Sequence, residues 1–146
     1  MDILVEHRPG GVRVIVQGPE GSEELLRIVS LLRADDRRLW GWDEQRTSVA
    51  LSPAEIVWAE MVDGKVFVYM ARAMYQTSLS LGELEGRWED LGLFRCAKST
   101  VINLNAVRSL RSRPGGRIEA ALTTGERVIV SRRYAPLLRE RIQERG

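Results

Sequence analysis

Ile56-Val57-Trp58-Ala59-Glu60-Met61-Val62-Asp63-Gly64-Lys65-Val66-Phe67-Val68-Tyr69-Met70 is the stretch on which the fold turns. Ile56 to Met61 alternates apolar and polar positions, as a half-buried strand does. Asp63-Gly64 then supplies the residue pair that a tight two-residue hairpin turn favours, and Lys65 to Met70 makes the return strand. Working outward, Ala73 to Ser78 reads as a partner strand. On the N-terminal side, Leu39 to Asp43 and Thr47 to Leu51 read as strands, followed by a turn at Ser52-Pro53-Ala54-Glu55.

Beyond the hairpin, Ser80 is placed to cap a helix over 81–90, with Leu81, Leu84 and Trp88 on one face and Gly92 as its stop. Phe94 to Cys96 resumes the sheet, and Val101, Ile102, Leu104 and Val107 read as a short buried strand or turn near Asn103 and Asn105. Strands over 107–111 and 117–122 are split by Pro114-Gly115-Gly116, and Thr124-Gly125 turns the chain into 127–130. Residues 134–145 read as a terminal amphipathic helix with Leu137, Leu138 and Ile142 inward. Ahead of all this, Ile3–Glu6 and Val12–Gln17 alternate around Pro9-Gly10-Gly11 and read as a hairpin. Ser22 then caps a helix whose buried face is Leu25, Leu26, Ile28, Val29, Leu31 and Leu32. The expected organisation is therefore mainly β with α (α+β). A small ββα unit over 1–38, too small to be stable alone, precedes a domain over 39–146.

The chain has 146 residues, enough to bury a core without disulfides or metals. No apolar run approaches the roughly 20 residues that span a bilayer. The acidic start Met1-Asp2-Ile3-Leu4-Val5-Glu6 is unlike a signal peptide, so a cytoplasmic location is expected. Enzyme chemistry finds little support. His7 is the only histidine and reads as a surface residue, Ser99 and Ser131 have no His partner nearby, and no phosphate-cradling loop is present. The pair Glu83 and Glu85 reads as solvated charge on a helix. One Cys and one His leave no ordinary zinc set, and no cofactor or small-molecule substrate is expected.

Charge is distributed unevenly. Residues 1–93 carry 10 Arg/Lys against 16 Asp/Glu, whereas residues 94–146 carry 12 against 4. A general arginine bias would account for 20 Arg beside two Lys, but not for acids thinning out after residue 93. A basic half of this kind points to a polyanion. Three basic segments interrupted by turns carry hydroxyl residues beside the cations: Phe94-Arg95-Cys96-Ala97-Lys98-Ser99, Ser109-Leu110-Arg111-Ser112-Arg113 and Ser131-Arg132-Arg133-Tyr134. Arginine can pair with phosphate or fork onto guanine, and hydroxyls contact phosphates.

These segments also resemble a known family. The hairpin over 56–69 looks like the one that opens a LytTR domain, and Ser80-Leu81-Gly82-Glu83-Leu84-Glu85 is similar to the family's helix motif. Phe94 through Asn103 matches its "FxRxxxSxxIN", and Gly125-Glu126 with Val130-Ser131-Arg132-Arg133-Tyr134 matches "nGe…vSRRY". The likeness covers about residues 40–142 in the family's order, and the whole chain resembles a short bacterial LytTR protein with a ββα extension instead of a receiver domain.

The resemblance implies an antiparallel LytTR-type β-β-β sandwich. It implies a sequence-specific transcription regulator whose loops enter successive grooves of double-stranded DNA, commonly at paired direct repeats with one domain on each. Carried over residue by residue, it places Lys98, Ser99, Ser131, Arg132 and Arg133 at the DNA, with Lys65 as a further contact. Arg95 matches the pattern as a contact or as a residue that orients its loop, and Asn103 matches with a structural role expected. Lys98 departs from relatives that carry Asn, so base preference is not inherited. Cys96, between Arg95 and Lys98, is a candidate for a lowered thiol pKa and redox response, against the plainer reading of a small packed residue. The extension suggests a homodimer. The alternative function is an interaction module whose acidic N-terminal part docks on a partner such as a membrane protein.

Overall fold

The computed structural model describes residues 1–10 and 13–145. They divide into two compact units, Met1–Asp35 and Asp36–Gly146. In the first, helix α1 (Glu23–Arg37) begins where Ser22 predicts, since the Leu25 N–H donates to Ser22 Oγ at 3.3 Å. Two acids in its first turn complement the helix dipole.

The described part of the hairpin expected ahead of α1 contains no strand. Among the described residues, 3–6 and 13–17 belong to no strand, and Ile3, Leu4, Val5, Val14 and Ile15 are exposed. Gly11 and Val12, in the expected turn and second strand, lie outside the described residues. An isolated two-stranded ribbon has too little face to bury, so alternation alone does not stabilise one. The helix loses its expected partner layer with it. Leu25, Ile28 and Val29 are only half-buried, and Leu26, Leu31 and Leu32 are exposed.

The second unit is built on a seven-stranded antiparallel sheet. Its strands are β1 (Leu39–Trp42), β2 (Ser48–Leu51), β3 (Trp58–Val62), β4 (Lys65–Tyr69), β5 (Met74–Thr77), β6 (Leu93–Ala97) and β7 (Thr100–Asn103), in the order β2-β1-β5-β4-β3-β7-β6. The opening hairpin forms as the sequence predicts. Val62 pairs with Lys65, and the intervening Asp63 and Gly64 have φ of 52° and 76°. Positive φ at both positions gives the turn whose twist matches the strands. The turn expected at 52–55 is a short 3-10 helix, Pro53–Glu55.

Helix α2 (Leu81–Trp88) starts on a full capping box, with Ser80 accepting from Glu83 N–H and Glu83 accepting from Ser80 N–H. It turns Leu81, Leu84 and Trp88 onto one face of the large sheet, against Leu39, Ala59, Val66, Val68, Leu93 and Val101. A 3-10 turn over Glu89–Leu91 and left-handed Gly92 end it.

Strands β8 (Val107–Arg113), β9 (Arg117–Leu122) and β10 (Arg127–Val130) form a second antiparallel sheet in the order β10-β9-β8. Ile118, Ala120, Leu122, Val128 and Val130 pack against Phe94 and Ile102 of the large sheet and against Val57 just ahead of β3, giving a second core. Helix α3 (Ala135–Arg145) closes this core with Ala135 and Leu138, both 0% exposed. The inward set expected for α3 needs correction: Leu137 and Ile142 face solvent. Its fully buried stripe is only Ala135 and Leu138, and Arg141 pairs with Glu89 at 2.8 Å.

Asn103 joins the layers. Its Nδ2 donates to the carbonyls of Ile56 at 2.8 Å and Ala54 at 3.2 Å, while Oδ1 accepts from Asn105 N–H at 2.9 Å. Buried and fully bonded, it has the structural role expected from its apolar neighbours.

Candidate nucleic-acid interface

Lys98 and Ser99 are the two residues of the β6–β7 turn, and both are exposed. The pairing steps from Arg95–Val101 to Ala97–Thr100, so Cys96 is the extra residue of a β-bulge. A bulge bends its strand and re-aims the residues beyond it. Cys96 itself is fully buried, with Sγ 3.6 Å from the Thr100 carbonyl. Burial pushes its thiol up to about 12, outweighing the opposing effect of the Arg95 charge. The lowered pKa considered from sequence is thus reversed, and the packed-residue reading describes this thiol.

Arg95 does not project from the turn. Its Nε donates to the Ala97 carbonyl at 2.9 Å and Nη2 donates to the Lys98 carbonyl. Its backbone N–H donates to Glu85 Oε2 at 2.6 Å, which gives Glu85 a partner where the sequence suggested solvated charge. Of the two roles open to Arg95, contact or loop orientation, the geometry matches orientation.

The second basic segment lies against the first. Ser131 N–H donates to the Cys96 carbonyl at 2.9 Å, fastening the end of β10 to the bulge. The Ser131 carbonyl in turn accepts from Tyr134 and Ala135 N–H, each at 3.0 Å, and starts α3. Between these anchors Arg132 and Arg133 are exposed. The Arg133 guanidinium sits 5.6 Å from the centre of the Tyr134 ring, a cation–π distance. The Arg132 stem lies over the β8–β9 turn. A Cβ on Gly116 would come within 3.1 Å of Arg132 Cγ, and Gly116 has φ of +78°, so two constraints favour glycine there.

Lys65 is brought to the same end of the large sheet. Met61 N–H donates to the Ser99 carbonyl at 2.9 Å, which sets the β3–β4 turn beside the β6–β7 turn. Lys65 and Arg95 also line one open cleft together with Gln76 and Glu83. Lys98, Ser99, Ser131, Arg132, Arg133 and Lys65 are thereby gathered along one border of the domain.

The remaining cations sort by partner. Arg127 bridges Glu119 at 3.2 Å, Arg141 bridges Glu89, and Arg95 is held by its own turn. Among the described residues, no carboxylate pairs with Lys98, Arg113, Arg132 or Arg133. The sequence marks Ser109–Arg113 as basic without assigning it a contact, and the structure displays Arg108, Arg111 and Arg113 on exposed β8. No group of His, Cys, Asp or Glu among the described residues could hold a metal ion, and no helix there is long and apolar enough to cross a membrane.

Comparison with known proteins identifies the family of this domain. The family described as the LytTr DNA-binding domain matches residues 46–143. The chain belongs to the LytTR family. Its fold is similar to a solved LytTr DNA-binding domain from a Bacillus cereus protein described as a methyl-accepting/DNA response regulator. That match has a TM-score of 0.66 at 21% identity and covers 71% of this chain and 94% of that one. No curated protein matches the chain significantly. Strand β1 lies ahead of the matched LytTR segment, yet it pairs with both β2 and β5 inside the sheet.

Proposed function

We propose that this LytTR chain is a sequence-specific transcription regulator of bacterial cytoplasm that presents Lys98, Ser99, Ser131, Arg132 and Arg133 to duplex DNA. Lys65 would flank them, and Arg95 would act by holding the β6–β7 turn in shape. One observation carries the reading: the Ser131 N–H to Cys96 carbonyl bond, which sets two exposed basic segments side by side. Family membership supplies the DNA, and the absence, among the described residues, of carboxylate partners at Lys98, Arg132 and Arg133 leaves their charge open to phosphate. Groove entry by these side chains, at paired direct repeats with one domain on each, is the mode this reading favours. No catalytic role is assigned.

Selection of bound sites from random duplex DNA tests the proposal and would reveal the repeat. Binding should fall steeply with salt, by roughly 10³–10⁵-fold between 50 and 200 mM for about 6–10 phosphate contacts. No enriched site, or a flat salt response, would refute it.

A second reading is favoured by the first unit. Exposed Leu26, Leu31 and Leu32 on α1, behind an acidic first turn, suit a protein partner. That partner would be a second copy of the chain, making a homodimer with residues 1–38 as its contact, or a membrane protein that regulates DNA binding. Light scattering of the full chain and of Leu31→Asp separates these. A dimer lost on substitution supports self-association, and an unchanged dimer excludes this helix face.

A further inference from the structure

The β8–β9 hairpin carries charge that the fold does not use. Arg113 and Arg117 are direct cross-strand partners, the pair nearest the Pro114-Gly115-Gly116 turn. Like charges set opposite one another on a sheet repel and destabilise it. Elsewhere in the same sheet an arginine stands opposite an acid instead: Arg111 is the register partner of Glu119, whose carboxylate bridges Arg127 on the next strand at 3.2 Å. Among the described residues, no acid pairs with either arginine at the tip. Arg117 Nε donates to the Pro114 carbonyl at 3.2 Å, and among the described residues the Arg113 side chain makes no ion pair or hydrogen bond.

The position of this tip gives the charge a use. The Arg132 stem rests on Gly116, so the turn abuts the Ser131–Tyr134 segment. That segment is tied in turn to the β6 bulge and the Lys98 turn. We propose that Arg113 and Arg117 extend the interface as a phosphate clamp, binding the DNA backbone beside the bases met by the Lys98 and Arg133 loops. A phosphate seated between the two guanidiniums relieves their mutual repulsion and takes charge-assisted hydrogen bonds from both. Because phosphates carry no sequence, the clamp adds affinity without adding specificity.

This inference rests on the DNA-binding reading, and the test separates the two. The full chain, an Arg113→Ala/Arg117→Ala variant and an Arg113→Lys/Arg117→Lys variant are titrated against a selected site and a scrambled duplex over a range of salt. Loss of two phosphate contacts should make the slope of log affinity against log salt shallower by about 1.8. Affinity for both duplexes should drop by the same factor, and the lysine variant should keep the full slope. An alanine variant with the parental slope overturns the clamp, as does a loss confined to the selected site. If the unaltered chain shows no salt-dependent DNA binding, the functional reading itself falls and the clamp with it. Thermal melting of both variants at the parental temperature guards against unfolding as a cause, which is expected because Arg113 and Arg117 are exposed.

Discussion

Strands β7 and β8 follow one another across a single 3-10 turn, Leu104–Ala106, and differ in almost every physical respect. β7 is an interior strand between β3 and β6, and Val101, Ile102 and Asn103 are buried. β8 borders the small sheet, and every residue after Val107 is exposed. Leu110 and Ser112 pair with Ala120 and Ile118 and share their side of the sheet, yet remain open because the core ends before reaching them. Two cores therefore constrain β7 on both faces, whereas packing asks almost nothing of β8. Its arginines are set by exposure to solvent rather than by packing.

If that contrast is right, the costliest change lies next to the turn. Asn103→Ala removes the side-chain donor from the buried Ile56 carbonyl and the partly buried Ala54 carbonyl, and should lower stability by about 3 kcal/mol in urea denaturation. A loss below about 1 kcal/mol would mean that β7 does not join the layers as described. Next in size, Arg133→Ala should weaken binding to a selected site by about 1–3 kcal/mol if that side chain meets a base, with unfolding changed by less than about 0.5 kcal/mol. Unchanged affinity would remove Arg133 from the interface.

Alkali sharpens the contrast from the β6 side. The folded Cys96 thiol resists ionisation up to about pH 12, against an ordinary value of 9.0. Its contribution is therefore complete below pH 9 and is lost as pH rises toward 12, because only the unfolded chain gains the thiolate. Between pH 9 and 10 the unfolding constant should climb several-fold, and Cys96→Ala should flatten that rise. Tyr69, also raised to about 12 from 10.0 by burial and its bond to Glu60, acts mainly above that window. The smallest effect is expected at Leu110→Lys, within about 0.5 kcal/mol by the same denaturation assay. A larger loss would show that β8 is packed after all.

Much of the second unit was legible in the sequence because its signals are local and mutually consistent. Asp63-Gly64 dictates its turn by backbone preference, Ser80 with Glu83 closes a capping box, and Leu81, Leu84 and Trp88 fall on one face at helical spacing. Asn103 was readable from its apolar neighbours. What escaped depends on partners distant in sequence. Alternation at 3–6 and 13–17 resembles a hairpin, but a two-stranded ribbon by itself has too little face to bury. Leu137 and Ile142 have helical spacing without a surface to meet. The border of basic residues was legible as a list of segments, not as a place. Its assembly requires the Ser131 bond to Cys96 and the seat of Arg132 on Gly116, contacts spanning 35 and 16 residues. Arg95 was ambiguous for the same reason, since the bulge that lets it reach the Ala97 carbonyl has no marker of its own.

The outer side of β8 has one more consequence. A strand at the margin of a sheet offers unpaired N–H and carbonyl groups that can recruit a strand from another molecule, the first step toward aggregation. In β8, Arg108, Arg111 and Arg113 make such an approach by a second copy electrostatically unfavourable. The same charges thus oppose strand-to-strand pairing at this margin, and neutralising them would trade solubility for a sticky edge.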